Sequence, residues 1–177
     1  MKTLTLLRHA KSSWDDPVER DFDRPLNGRG RRAAARMGGW LKDAGRGFDH
    51  VRASPALRVR QTLEGVEDGF GRSLGAAFDA RIYLASATTL LELVQGIDDA
   101  AETALLVGHN PGLEDLLMML TPAADPLRAE AEVKYPTATI AVLELPVANW
   151  HGVAERGATL KHVIRPRDLD PALGPDD

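Results

Sequence analysis

Apolar positions along the chain switch between two periods. Leu4-Thr5-Leu6-Leu7 is a short run, apolar apart from one threonine, and suits a strand buried on both faces. Asp49 to Ala53, Thr103-Ala104-Leu105-Leu106-Val107, Thr139 to Leu145 and Thr159 to Ile164 offer further strands. Between them the spacing becomes helical. Ala33, Met37, Leu41 and Ala44 recur at steps of four, four and three and make one face of a helix that ends at Gly45. Val59, Leu63, Val66 and Phe70 make a second such face, Leu90, Leu91 and Val94 a third, and Leu113, Leu116, Leu117 and Leu120 a fourth.

Short strands alternating with amphipathic helices predict an α/β fold of three layers, a mostly parallel sheet with helices on both faces. Pro146 to Gly157 carries no helical pattern between the last two strands, so an antiparallel edge strand is expected there. Pro122, Pro126 and Pro136 make Thr121 to Thr137 a loop, and three more prolines past Arg165 predict an irregular tail from about residue 166. The 177 residues fit one domain, 1–177, of a size that buries roughly 70% of its unfolded surface.

Three strand-to-helix junctions carry side chains with chemistry. At the first, Leu7 leads straight into Arg8-His9-Ala10-Lys11-Ser12. At the second, Ala53-Ser54-Pro55-Ala56-Leu57-Arg58 runs into a helix, with Ser54 as the expected N-cap, Pro55 at the first helical position and Arg58 near the first turn. At the third, Val107-Gly108-His109-Asn110-Pro111-Gly112 offers Asn110 as N-cap and Pro111 at the start of a helix. Ligands of open α/β sheets sit outside the carboxyl ends of the strands. Arg8, His9, Arg58 and His109 are therefore placed to share one anion, whereas Arg60 reads as a solvated helix residue. A phosphoryl group spreads charge over three oxygens and calls for several rigid donors around one in-line nucleophile.

Charge agrees with an anionic ligand. Residues 1–62 carry 14 Lys and Arg against 7 Asp and Glu, and residues 63–177 carry 8 against 19. The total of -4 and the 5% of aromatic residues argue against nucleic acid. With no cysteine, disulfides, thiolate zinc sites and cysteine nucleophiles are excluded. The histidines, at 9, 50, 109, 151 and 162, lack metal-site spacing, so neither metal nor other cofactor is expected. No apolar run reaches the length of a signal or membrane helix, which predicts a cytoplasmic protein without membrane contact.

The ordered set Leu-Arg-His-Ala-Lys-Ser, Ser-Pro-Ala-Leu-Arg-x-x-Gln-Thr and Gly-His-Asn-Pro resembles the histidine phosphatase superfamily, also called phosphoglycerate mutase-like. The short chain, the Arg-His-Ala-Lys opening and the closing Arg165-Pro166-Arg167-Asp168-Leu169 resemble its phosphohistidine phosphatases of the SixA type, from about Thr3 to Leu169. The resemblance implies a metal-independent phosphatase with His9 as the phosphorylated nucleophile, Arg8 and Arg58 gripping the phosphoryl oxygens, and His109 completing the pocket. It also implies a phosphoglycerate mutase-like fold. One departure is Ala10, where the commonest superfamily opening has glycine, which puts a methyl group near the pocket.

The two arginines would keep His9 neutral and able to attack. Asp79, Glu92, Asp98 and Asp99 lie where many superfamily phosphatases carry a general acid, and none is singled out by its neighbours. Without such an acid, phosphohistidine is the favoured substrate, because protonated imidazole leaves more easily than an alkoxide. The chain has no room for a large lid, so the site is expected to be open to a phosphorylated partner protein, with Lys11 to Pro25 and Thr121 to Thr137 as its walls. Asn27 in that neighbourhood reads as an N-cap. Two alternatives stand beside this reading: a phosphatase of small phosphorylated metabolites, and a non-catalytic phosphate-binding module.

Overall fold

Residues 1–174 are described by a computed structural model. Six strands, β1 (Lys2–Arg8), β2 (His50–Ala53), β3 (Ala77–Phe78), β4 (Thr103–Gly108), β5 (Ile140–Leu145) and β6 (Thr159–Ile164), form one sheet in the order β3-β2-β4-β1-β5-β6. The first four run parallel, β5 is antiparallel to β1, and β6 is antiparallel to β5. Strand β3 was invisible in the sequence because it is two exposed residues long and has no apolar pattern of its own.

Helices α1 (Gly28–Asp43) and α2 (Leu57–Phe70) cover one face, and α3 (Ala87–Gln95), α4 (Gly112–Leu120) and α5 (Arg128–Val133) cover the other. Alternation along β1 explains how one strand serves both layers: Leu4 and Leu6 join the core under α3 and α4, whereas Leu7 joins the core under α1 and α2. The three-layer architecture follows from sheet residues that are apolar on both sides. Asn27 caps α1, its Oδ1 accepting from Gly30 N at 2.8 Å.

Two expected irregular segments are more ordered than their prolines suggested. Within the loop 121–137, α5 forms and buries Ala131 against the β6 side of the core. The tail from about 166 begins with a short helix, α6 (Pro166–Leu169), and continues in a 3-10 turn, Pro171–Leu173. Pro166 and Pro171 each occupy a first helical position, where the missing N–H costs nothing, and Leu173 is buried in the α1/α2 core. Residues 175–177 of that tail lie outside the described residues.

Candidate active site

The parallel register brings the three junctions to one edge of the sheet. Arg8 on β1 is opposite Gly108 on β4, and Ala53 on β2 is opposite Val107. One residue further on, His9 N donates to Gly108 O and Ser54 N to Val107 O, each at 3.0 Å. Since β1 leads to a helix on one face and β4 to a helix on the other, a crevice opens between their carboxyl ends.

His9 sits at that crevice with its ring almost buried. Its Nδ1 lies 2.8 Å from Ala10 O and must carry the proton to donate there, which leaves Nε2 with a free lone pair. Burial pushes the imidazole well below its ordinary value of 6.5; the bond to Ala10 O opposes this, and the charges of Arg8 and Arg58 and the His109 ring add to it. The ring is therefore neutral at physiological pH. The Ala10 methyl, expected near the pocket, instead packs into the α1/α2 core, and Ala10 N donates to Thr62 Oγ1 at 2.9 Å.

Arg58 projects from the first turn of α2 and is 2% exposed. Its Nη2 lies 3.3 Å from His109 Nδ1 and its Nη1 donates to Asp21 O at 2.9 Å. The His109 Nε2–H then donates to Ser54 Oγ at 2.7 Å. Burial and the Arg58 charge hold His109 down at about 4, so it too is neutral. The His9 and His109 ring centroids are 5.4 Å apart. Arg8 reaches across from β1 to donate from Nη1 to Tyr135 O at 3.1 Å.

Residues with no apparent chemistry hold this set in place. Thr62 donates to Arg58 O at 2.6 Å while accepting from Ala10 N, and so joins the His9 loop to α2. Gln61 Oε1 accepts from Leu26 N at 2.8 Å and ties in the segment before α1. The Gln-Thr pair after Arg58 thus fastens two loops to one helix turn.

Arg8, His9, Lys11, Ser12, Trp14, Arg24, Arg58, His109, Asn110 and Thr137 line a cavity of about 300 Å³. All four residues singled out in the sequence meet there. The wall from 11–25 is formed largely as expected, whereas the other expected wall contributes Thr137 alone. Asp79, Glu92, Asp98 and Asp99 do not line the cavity. Asp79 pairs with Arg81 at 2.6 Å, and Asp98 and Asp99 accept from the backbone N–H groups of Ala100 and Trp150 at 2.8 Å. Among the described residues, no cluster of His, Cys, Asp or Glu could hold a metal ion, and no helix is long and apolar enough to cross a membrane.

Two expected helix caps are not caps. Helix α2 begins at Leu57 with Ala56 before it, and the Ser54 hydroxyl accepts from Ala56 N at 3.3 Å, ahead of the helix, and from His109 Nε2 at 2.7 Å. Helix α4 begins at Gly112, and the Asn110 amide instead donates to Tyr135 O at 3.1 Å and Glu114 Oε2 at 3.3 Å.

The structure adds Asp21, Arg24 and Tyr83 to the site. Asp21 Oδ2 accepts from Arg58 Nη2 at 3.0 Å and from Tyr83 Oη at 2.8 Å, and Oδ1 accepts from Arg24 Nη2 at 3.0 Å. Although its burial opposes ionisation, these bonds and the Arg58 charge bring the Asp21 carboxyl down to about 2. Tyr83 also meets the His109 ring edge-on at a centroid distance of 5.4 Å. Arg24 is buried, with Nη1 on Ser12 Oγ. The local signal for Arg24 is a loop arginine preceded by two acids, Asp21 and Asp23; nothing in the spacing connects Asp21 with Arg58, 37 residues away.

The model of the histidine phosphatase superfamily (branch 1) matches residues 4–82. An uncharacterized protein of Mycobacterium tuberculosis is 37% identical over 164 residues, 91% of this chain and 100% of that protein. One from Mycobacterium leprae is 32% identical over 169 residues, with the same coverage. Among solved structures, a candidate phosphohistidine phosphatase SixA from Nakamurella multipartitia matches with a TM-score of 0.80 at 31% identity, over 93% of this chain and 96% of that one. A second candidate SixA, from Agrobacterium tumefaciens, gives 0.77 at 31% identity, over 93% and 98%. Full-length matches at this identity, with a family model spanning the first two junctions, establish that the chain belongs to the histidine phosphatase superfamily and is a phosphatase with SixA-type neighbours.

Proposed function

We propose that the protein is a phosphohistidine phosphatase, removing phosphate from a histidine of a partner protein through a phosphohistidine formed on His9. In the first step the His9 Nε2 lone pair forms a bond to phosphorus in line with the P–N bond of the substrate. That bond breaks and its electrons return to the substrate imidazole, which leaves neutral because its distal nitrogen carries a proton. Arg8 and Arg58 take the equatorial oxygens, and His109, held by Ser54 and Arg58, lines the same pocket. In the second step water forms an O–P bond and the P–N bond to His9 breaks. The electron pair returns to Nε2 and the water proton passes to phosphate or solvent.

The observation that carries the substrate assignment is the state of the carboxylates. Among the described residues no Asp or Glu lines the cavity, and the one bonded to its arginines, Asp21, is drawn down to about 2 and accepts from three groups. An ionised carboxylate has no proton to give an alkoxide. A leaving imidazole needs none from the enzyme.

Incubation with a radiolabelled phosphoryl donor, quenching and peptide mapping test the nucleophile. An acid-labile, base-stable adduct on His9, absent in His9→Ala, is expected; no adduct with any donor would indicate a phosphate-binding module. Phosphate release from a phosphohistidine-bearing protein should exceed that from sugar phosphates by at least about 100-fold, on the order of the rate that general acid catalysis contributes. The reverse ranking would assign the site to small phosphoesters.

A further inference from the structure

Trp14 stands out as a large apolar ring kept in the open. It is 75% exposed, yet it lines the cavity that contains His9 and His109. An exposed indole next to a catalytic pocket is worth explaining, because burying it elsewhere would have stabilised the fold.

The ring is not loose. One face lies on the Arg24 guanidinium, whose carbon is 3.7 Å from the ring centroid. Arg24 is itself buried and anchored on both sides, by Ser12 and by the Asp21 carboxylate that also holds Arg58. The indole is thus mounted, through Arg24 and Asp21, on the assembly that grips the phosphoryl group. A face stacked on a rigid cation resists displacement, while the exposed remainder stays available at the mouth of the pocket.

Resting on the phosphohistidine reading, we infer that Trp14 is the residue that selects for a planar aromatic leaving group, by stacking on the substrate imidazole while its phosphoryl group occupies the cradle. An imidazole is flat and carries π faces, so its pairing with an indole adds binding that an amine or an alkyl alcohol cannot match. Nothing covalent is asked of Trp14; it is a specificity residue.

The test compares two P–N substrates in wild type, Trp14→Ala and Trp14→Phe: N-phosphoimidazole, which has the ring, and phosphoramidate, which lacks it. Trp14→Ala should lower kcat/KM for N-phosphoimidazole about 10-fold, the upper range for an aromatic pair, and for phosphoramidate by no more than about 2-fold. Trp14→Phe should restore most of the difference. Equal losses on both substrates would mean that Trp14 merely props Arg24, and would overturn the inference. So would a loss seen with a phosphohistidine protein but not with N-phosphoimidazole, which would make Trp14 a protein contact. In both of those cases the phosphohistidine reading survives. Wild-type enzyme that hydrolyses neither P–N compound would instead remove that reading, and the inference with it.

Discussion

The Asp21 carboxylate lies 3.0 Å from the Arg58 guanidinium and, through its other oxygen, 3.0 Å from that of Arg24. One acid from the loop before α1 therefore fixes two cations that line the same cavity. Arg58 is almost wholly buried, so without a counter-charge its desolvation would be opposed by nothing but its bonds to Asp21 O and His109. The pair orients Arg58 before any phosphoryl group arrives, which is the arrangement that electrostatic catalysis rewards.

Removing that carboxylate should misalign Arg58. Hydrogen bonds to charged groups contribute about 1.5–3 kcal/mol, so Asp21→Ala is expected to lower kcat/KM by roughly 10- to 100-fold. Tyr83→Phe, which deletes one donor to Asp21 Oδ2, should lower it only about 3-fold, in keeping with the usual worth of about 0.5–1.5 kcal/mol for a hydrogen bond. Steady-state kinetics decide the matter. Unchanged kcat/KM in Asp21→Ala would show that Arg58 keeps its place without Asp21.

The pH dependence has a definite sign. His9 is held well below 6.5, chiefly by burial, and the neutral ring is the proposed nucleophile. Hence kcat/KM should stay level from neutral pH down through 6.5 and fall only at clearly lower pH. A midpoint at or above 6.5 in the wild-type profile would contradict the neutral, buried ring.

Stability should respond in two separate windows. His109 binds its proton near 4 in the folded state and near 6.5 when unfolded. Its contribution is complete above 6.5 and is lost as the pH falls from 6.5 to about 4, by at most about 3 kcal/mol. Asp21, at about 2 against an ordinary 3.8, contributes above 3.8 and loses that contribution between 3.8 and about 2. Urea unfolding at intervals of half a pH unit, with His109→Gln as control, should show the first slope in the wild type and a flatter curve in the variant.

The architecture was legible wherever local pattern and tertiary environment agree. The five longer strands and the four amphipathic helices α1 to α4 have apolar periods that match their buried faces, and three of the four site residues sit within one residue of a strand end. What the chain concealed depends on contacts far apart in sequence. Asn110 has the chemistry of an N-cap but its amide goes to Tyr135 O, and the Ser54 hydroxyl is shared between Ala56 N and His109, a competition that no local rule reports. Asp21 and Tyr83 enter the site through contacts across 37 and 62 residues.

Glu114 is a further carboxylate whose state departs from the ordinary. Burial raises it above its ordinary value, with Asp115 adding to that and Arg8 opposing it. It reaches the Asn110 amide at 3.3 Å but does not line the cavity. Glu114→Gln preserves that amide contact and should leave phosphoramidate hydrolysis within about 2-fold of wild type. A loss of 100-fold or more, the scale of general acid catalysis, would make Glu114 a proton donor and would favour phosphoester substrates.

The close crossing of α1 and α2 supports the site from behind, since α2 carries Arg58 and Thr62. It depends on glycine at three positions, Gly38, Gly65 and Gly69. A Cβ on Gly38 would lie 2.1 Å from Val66 O, and one on Gly69 would lie 1.9 Å from Ala35 O. Neither backbone oxygen can yield without the helices moving apart, so Gly38→Ala and Gly69→Ala are each expected to destabilise by about 1–3 kcal/mol. Gly39, next in line on α1, meets only the end of Arg36 at 3.7 Å. There the same substitution should stabilise by about 0.5–1 kcal/mol, because alanine loses less backbone entropy in a helix. Thermal unfolding of the three variants therefore tests the crossing directly: Gly38→Ala and Gly69→Ala should unfold several degrees below wild type and Gly39→Ala slightly above it. If Gly38→Ala matched Gly39→Ala, the two helices would have to be packed further apart than the contact at Val66 O requires.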